Sequence, residues 1–67
     1  MLTIEIEREA DGRWIGEVPE LPGVMAYGAT EDEVRNKVAA LALRVIADRI
    51  EHGEPAPIAA HDLFAAA

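Results

Sequence analysis

Three glutamates, Glu5, Glu7 and Glu17, are the residues whose type and spacing come nearest to chemistry in this 67-residue chain. Carboxylates gathered on one face can hold a divalent cation, which takes oxygen ligands. No aspartate accompanies them and no neighbouring group would orient them, so a solvated or partner-facing role outweighs metal binding. His52 falls at the end of a helical pattern, where an imidazole suits the negative end of the helix dipole. His61 and Asp62 are adjacent, but adjacency does not fix the geometry that proton transfer needs. Thr3 and Thr30 both have structural readings. The chain contains no cysteine, no phosphate loop and no His/Cys metal spacing. The expectation is a non-catalytic protein with no cofactor.

The elements that would position these glutamates begin with a period-two run. Leu2, Ile4 and Ile6 alternate with Thr3, Glu5 and Glu7, the signature of a half-buried strand over about residues 2 to 9. Asp11-Gly12 then predicts a hairpin, because both residues tolerate the positive φ of a primed turn. A second strand follows over about 13 to 18, with Trp14, Gly16 and Val18 on one face and Arg13, Ile15 and Glu17 on the other. The run Glu17 to Thr30 is the hinge of the chain. Pro19 stops the second strand, Pro22-Gly23 suits the centre of a type II turn, and a third strand starts at Val24. In that strand Val24 and Ala26 share one face, Met25 and Tyr27 the other.

Thr30-Glu31-Asp32-Glu33 reads as a capping box, the threonine hydroxyl accepting from the Glu33 amide and the Glu33 carboxylate reaching back to the Thr30 amide. Beyond it Val34, Val38, Leu41, Ala42, Val45, Ile46 and Ile50 recur at spacings of three and four, so a helix is predicted over about 31 to 52. Gly53 caps its end, and Pro55 and Pro57 prevent continuation. The fold class expected is α+β, a three-stranded antiparallel meander plus one long helix. Helix and sheet would bury Leu2, Ile4, Ile6, Gly16, Val18, Val24 and Ala26. The opposite face would show Ile15, Met25 and Tyr27 amid Thr3, Glu5, Glu7 and Glu17, an apolar centre ringed by carboxylates of the kind that protein interfaces use. Trp14, at a strand start, is left between the core and a dimer seam.

Composition limits the function classes. Thirteen acids against six bases give a formal charge of −7, which argues against nucleic-acid binding, since phosphate contacts need a cationic face. The first twenty residues hold six of the acids and two of the bases, so the strand half carries most of the excess and a basic protein is its natural complement. A domain of this size buries only about 60% of its unfolded surface, and no cysteine is available to cross-link it; a homo-oligomer, dimer or tetramer, is expected. No basic start leads into an apolar run, as a secretory signal would need, and no window approaches the length of a membrane span. A cytoplasmic location is expected.

The residues Asp11-Gly12-Arg13-Trp14-Ile15-Gly16-Glu17-Val18-Pro19-Glu20-Leu21-Pro22-Gly23, followed by Tyr27-Gly28-Ala29-Thr30-Glu31-Asp32-Glu33, resemble the HicB-family antitoxins of bacterial toxin-antitoxin systems. The shared pattern is an aromatic-x-small-Glu-Val-Pro-Glu-Leu-Pro-Gly run, a Gly-x-Thr helix entry and a long amphipathic helix ending near glycine and prolines. It covers about residues 2 to 57 and leaves 58 to 67 as a tail. The resemblance implies a partial ribonuclease-H-like β-β-β-α domain with a short fourth strand, in which Ile58 or Leu63-Phe64 would lie. It further implies an inactive fold that binds and blocks a small, basic, mRNA-cleaving toxin of the HicA type. Many such antitoxins carry a DNA-binding module after this domain, for which this sequence has no counterpart. The partner-binding residues expected are Glu5, Glu7, Ile15, Glu17, Glu20, Met25 and Tyr27. Two other readings are open: a stand-alone oligomeric regulatory domain without a toxin, and a weak metal-dependent nuclease using Glu5 or Glu17.

Overall fold

The computed structural model describes residues 2 to 56. Its element order is β1 (Glu5–Arg8), β2 (Trp14–Glu17), β3 (Met25–Gly28) and α1 (Glu31–Glu51). The strands form one antiparallel sheet in the order β1-β2-β3, an α+β fold as expected. The fourth strand implied by the resemblance falls outside the described residues. Among those residues no helix is long and apolar enough to cross a membrane.

Each connection has a local cause. The β1–β2 hairpin differs from the primed turn expected at Asp11-Gly12. Gly12 alone takes a positive φ, at 90°, its amide donates to the Glu9 carbonyl at 3.0 Å, and the Glu9 amide donates to the Arg13 carbonyl at 2.7 Å. That is a three-residue loop, Ala10 to Gly12, with glycine in the left-handed position that closes it. Asp11 keeps a negative φ and instead accepts from the Arg13 amide at 3.0 Å. The β2–β3 connection wraps around Leu21. The Leu21 amide donates to the Val18 carbonyl at 2.9 Å, the Val24 amide donates to the Leu21 carbonyl at 3.0 Å, and the Val18 amide donates to the Val24 carbonyl at 3.1 Å. Gly23 has φ 90°, as the second central position of a type II turn requires.

β1 begins at Glu5, later than the sequence pattern suggests, because Glu5 pairs with Glu17 and β2 leaves the sheet just beyond. Residues 2 to 4 have no opposing strand residue, and the Thr3 amide finds the Glu20 carboxylate instead, at 3.1 and 3.4 Å.

The helix packs on the face the strand parity predicts. Val18, Leu21, Val24, Val34, Val38, Ala42 and Ile46 form the buried core, with Leu2, Ile4, Ile6, Trp14, Ala26, Leu41, Val45 and Ala56 partly buried against it. The helix lies mainly over β3 and β2 and barely over β1. Leu2 and Ile4 are therefore incompletely covered, and with Val18, Ala39, Ala42 and Leu43 they line an apolar groove. Ile50, expected in the buried stripe, is 47% exposed. The helical period continues there, but Ile46 is the last residue of the stripe with the core beneath it.

Both helix ends are capped. Thr30 Oγ1 accepts from the Glu33 amide at 3.1 Å, while the Glu33 carboxylate takes the Ala29 amide at 3.2 Å, one residue earlier than a standard capping box. At the other end the Glu54 amide reaches the Arg49 carbonyl at 2.8 Å and the Gly53 amide reaches the Ile50 carbonyl at 3.2 Å, with Gly53 at φ 69°. These are the two bonds of a Schellman motif. His52 adds a contact from Nδ1 to the Asp48 carbonyl at 2.7 Å, so its role is that of a helix cap.

Glu33 also pairs with Lys37 at 2.7 Å, and this bond, followed by that from the Ala29 amide, lowers its pKa. A group whose folded pKa is depressed contributes stability that is present above its unfolded pKa and lost as pH falls through the folded one. Glu33→Gln should accordingly flatten the acid limb of the thermal midpoint against pH. Equal acid slopes for the variant and the parent would remove Glu33 as a source of that dependence.

Candidate protein-binding face

Parity and register together build the open face of the sheet. Glu5, Glu17 and Met25 stand in one row across the three strands, and Glu7, Ile15 and Tyr27 in the next. Six of the seven residues expected to bind a partner are thus brought onto one surface. Ile15 is half-buried on the central strand, while Met25 and Tyr27 are 44% and 43% exposed. Glu5, Glu7, Glu9, Ile15 and Glu17 line a shallow hollow of about 110 Å³. Glu20 is not placed with them, since its carboxylate tethers the Thr3 amide.

Two further residues stand on the face: Glu9, which was not expected there, and Arg13, which strand parity had already placed beside Ile15 and Glu17. Glu9 has the parity of Glu5 and Glu7, which is the signal that could have found it. Arg13 has the parity of Ile15, and its guanidinium sits 4.6 Å from the centroid of the Tyr27 ring. A cation over an aromatic face is attracted by the ring quadrupole. Arg13 Nε also donates to Asp11 Oδ2 at 2.7 Å. The backbone and side-chain bonds from Arg13 hold the Asp11 carboxyl below its ordinary range. Trp14 is on the opposite, helix-facing side, half-buried against the core, with the Arg8 guanidinium 5.7 Å from its ring.

The electrostatics of the face are one-sided. Glu5 stands directly opposite Glu17, an arrangement of like charges that costs stability in a sheet. The ion pairs among the described residues are Asp11–Arg13, Glu31–Arg35, Glu33–Lys37 and Asp48–His52. None involves Glu5, Glu7, Glu9 or Glu17, so these four carboxylates border the apolar centre without an ion pair among the described residues, and Arg13, the cation on the face, pairs with Asp11. These side chains do not converge as metal ligands: among the described residues no group of three His, Asp or Glu could hold a metal ion. What the arrangement can do is present apolar contact area inside a negative rim. Comparison of the chain with protein-family models, curated proteins and solved structures finds no match.

Proposed function

We propose that this protein is a non-catalytic, cytoplasmic antitoxin that binds a small basic HicA-type ribonuclease and occludes its RNA-binding surface. The observation that carries the reading is the open sheet face, where Ile15, Met25 and Tyr27 are bordered by glutamates that make no ion pair among the described residues. A surface evolved to bind RNA is cationic, so the toxin would supply the missing counter-charges. Met and aromatic side chains at the centre and charges at the rim are the usual anatomy of a protein interface. The sequence pattern from Asp11 to Glu33 supports the family, and the β-β-β-α order agrees with the partial ribonuclease-H-like architecture which that resemblance implies.

The direct test is co-expression with a small basic reading frame beside the gene, scored by recovery of growth and by co-purification. Absence of any complex or rescue would leave the stand-alone regulatory reading. The face itself is tested by reversing Glu5, Glu7 and Glu17 to lysine together. Association with the toxin should slow by about tenfold or more at low ionic strength, since steering scales with the charge of the encounter surfaces. The difference should shrink in high salt as the Debye length falls. Glu20→Lys should have a much smaller effect, because that carboxylate is engaged within the chain. Unchanged association by the triple variant would move the interface elsewhere without touching the antitoxin assignment.

A further inference from the structure

Among the described residues no strand lies beside the outer edge of β3, and the hydrogen-bonding pattern of that edge follows from two bonds. In antiparallel strands, residues that exchange hydrogen bonds alternate with residues whose amides and carbonyls point away from that neighbour. The Val18 amide bonds to Val24 and the Glu9 amide to Arg13. Continuing both ladders, Trp14 and Gly16 bond to Gly28 and Ala26, while Ile15 and Glu17 bond to Glu7 and Glu5. The backbone groups of Met25 and Tyr27 are therefore left pointing outward. Lys37 Nζ approaches the Tyr27 carbonyl at 3.4 Å, which leaves that oxygen a second lone pair.

We infer that two copies of this chain pair through β3 in antiparallel register centred on Ala26, forming a continuous six-stranded sheet. In that register Met25 faces the partner's Tyr27 and exchanges two hydrogen bonds with it, and the symmetry repeats the exchange. Sulfur against an aromatic ring is a favourable cross-strand contact. Such an interface is isologous, since the same segment serves both copies. Charge selects this edge over the other. The β3 segment Met25-Ala26-Tyr27-Gly28 is uncharged, whereas pairing two β1 strands about Ile6 would set Glu5 opposite the partner's Glu7. The pairing does not depend on the antitoxin reading, although it would double the width of the apolar centre that reading uses.

The test uses the full chain in sedimentation equilibrium and oxidative cross-linking. Residues 26 of the two copies would form a non-hydrogen-bonded pair with Cα atoms about 4.5 Å apart, within the disulfide range of about 4.4 to 6.8 Å. Ala26→Cys should cross-link into a covalent dimer under mild oxidation, and Glu7→Cys on the far edge should not. Met25→Glu combined with Tyr27→Glu should halve the measured mass by opposing like charges. Met25→Lys combined with Tyr27→Glu should retain the dimer, because residue 25 faces the partner's residue 27. Circular dichroism on every variant separates loss of pairing from loss of fold. A parent chain that sediments as a monomer, or one that cross-links through Glu7→Cys and not through Ala26→Cys, overturns the inference.

Discussion

Leu21→Ala is expected to destabilise the domain by about 2 to 5 kcal/mol, the range for truncating a large buried aliphatic side chain. Leu21 is fully buried, at 0% exposure, although it lies in a connection with a proline on either side. Its backbone is committed as well: the amide and the carbonyl each close a turn, so the surrounding chain has little freedom to collapse into the vacated space. For a domain of this size each kcal/mol corresponds to roughly 4 to 8 °C in the thermal midpoint. Leu43→Ala is the matched control, being 64% exposed, and should change stability by no more than about 0.5 kcal/mol. Thermal or urea unfolding of the two variants decides the matter. Equal losses would show that the Val18-to-Val24 connection is a surface loop, with no part in anchoring the core.

The same residue shows where sequence reading stops. Strand and helix positions announce their burial by periodicity, and the face formed by Ile6, Gly16, Val18, Val24 and Ala26 was legible for that reason. Leu21 has no periodic neighbours, so only the way its two turns fold it inward reveals it. Element ends were poorly legible for a related reason. β1 is cut short by the departure of its partner strand, and the buried stripe of α1 stops at Ile46 with the core beneath it. Both limits are non-local, whereas Leu2 and Ile50 continue their patterns undisturbed.

The candidate face was mostly readable from parity, because a two-residue period places Glu5, Glu7, Ile15, Glu17, Met25 and Tyr27 on one side once the hairpin is granted. Register then decides which of them meet, and register came from the three-residue hairpin loop, whose length a bare Asp-Gly dipeptide does not specify. Glu20 lay outside the argument from parity altogether, since it belongs to no strand. The direct opposition of Glu5 and Glu17 is informative for function. Sheet stability alone would favour separating or neutralising that pair, and a cationic partner would relieve it.

Gly16→Ala should cost about 1 to 3 kcal/mol or more, the range for forcing an extra methyl into a packed core. The sign is not what propensity suggests, since alanine for glycine inside an element usually gains about 0.5 to 1 kcal/mol. Packing decides. A Cβ at residue 16 would lie 2.5 Å from Val34 Cγ1 and 2.9 Å from Val38 Cγ2, and valine side chains on a helix are confined to essentially one χ1 rotamer. Neither methyl can swing aside, so α1 would have to lift from β2. The double variant Gly16→Ala with Val34→Ala should lose less than the sum of the two single changes, the coupling expected of residues in contact. Gly28 supplies the contrast. A Cβ there would meet Val34 Cγ2 at 2.8 Å but also the Val34 amide nitrogen at 3.1 Å, and trimming the side chain leaves the backbone atom in place. Val34→Ala with Val38→Ala should therefore suppress Gly16→Ala more fully than Val34→Ala suppresses Gly28→Ala when the cycles are measured by urea unfolding. Equal suppression would mean that the helix start moves freely over β3 and that the close approach at Gly16 alone sets the helix-to-sheet distance.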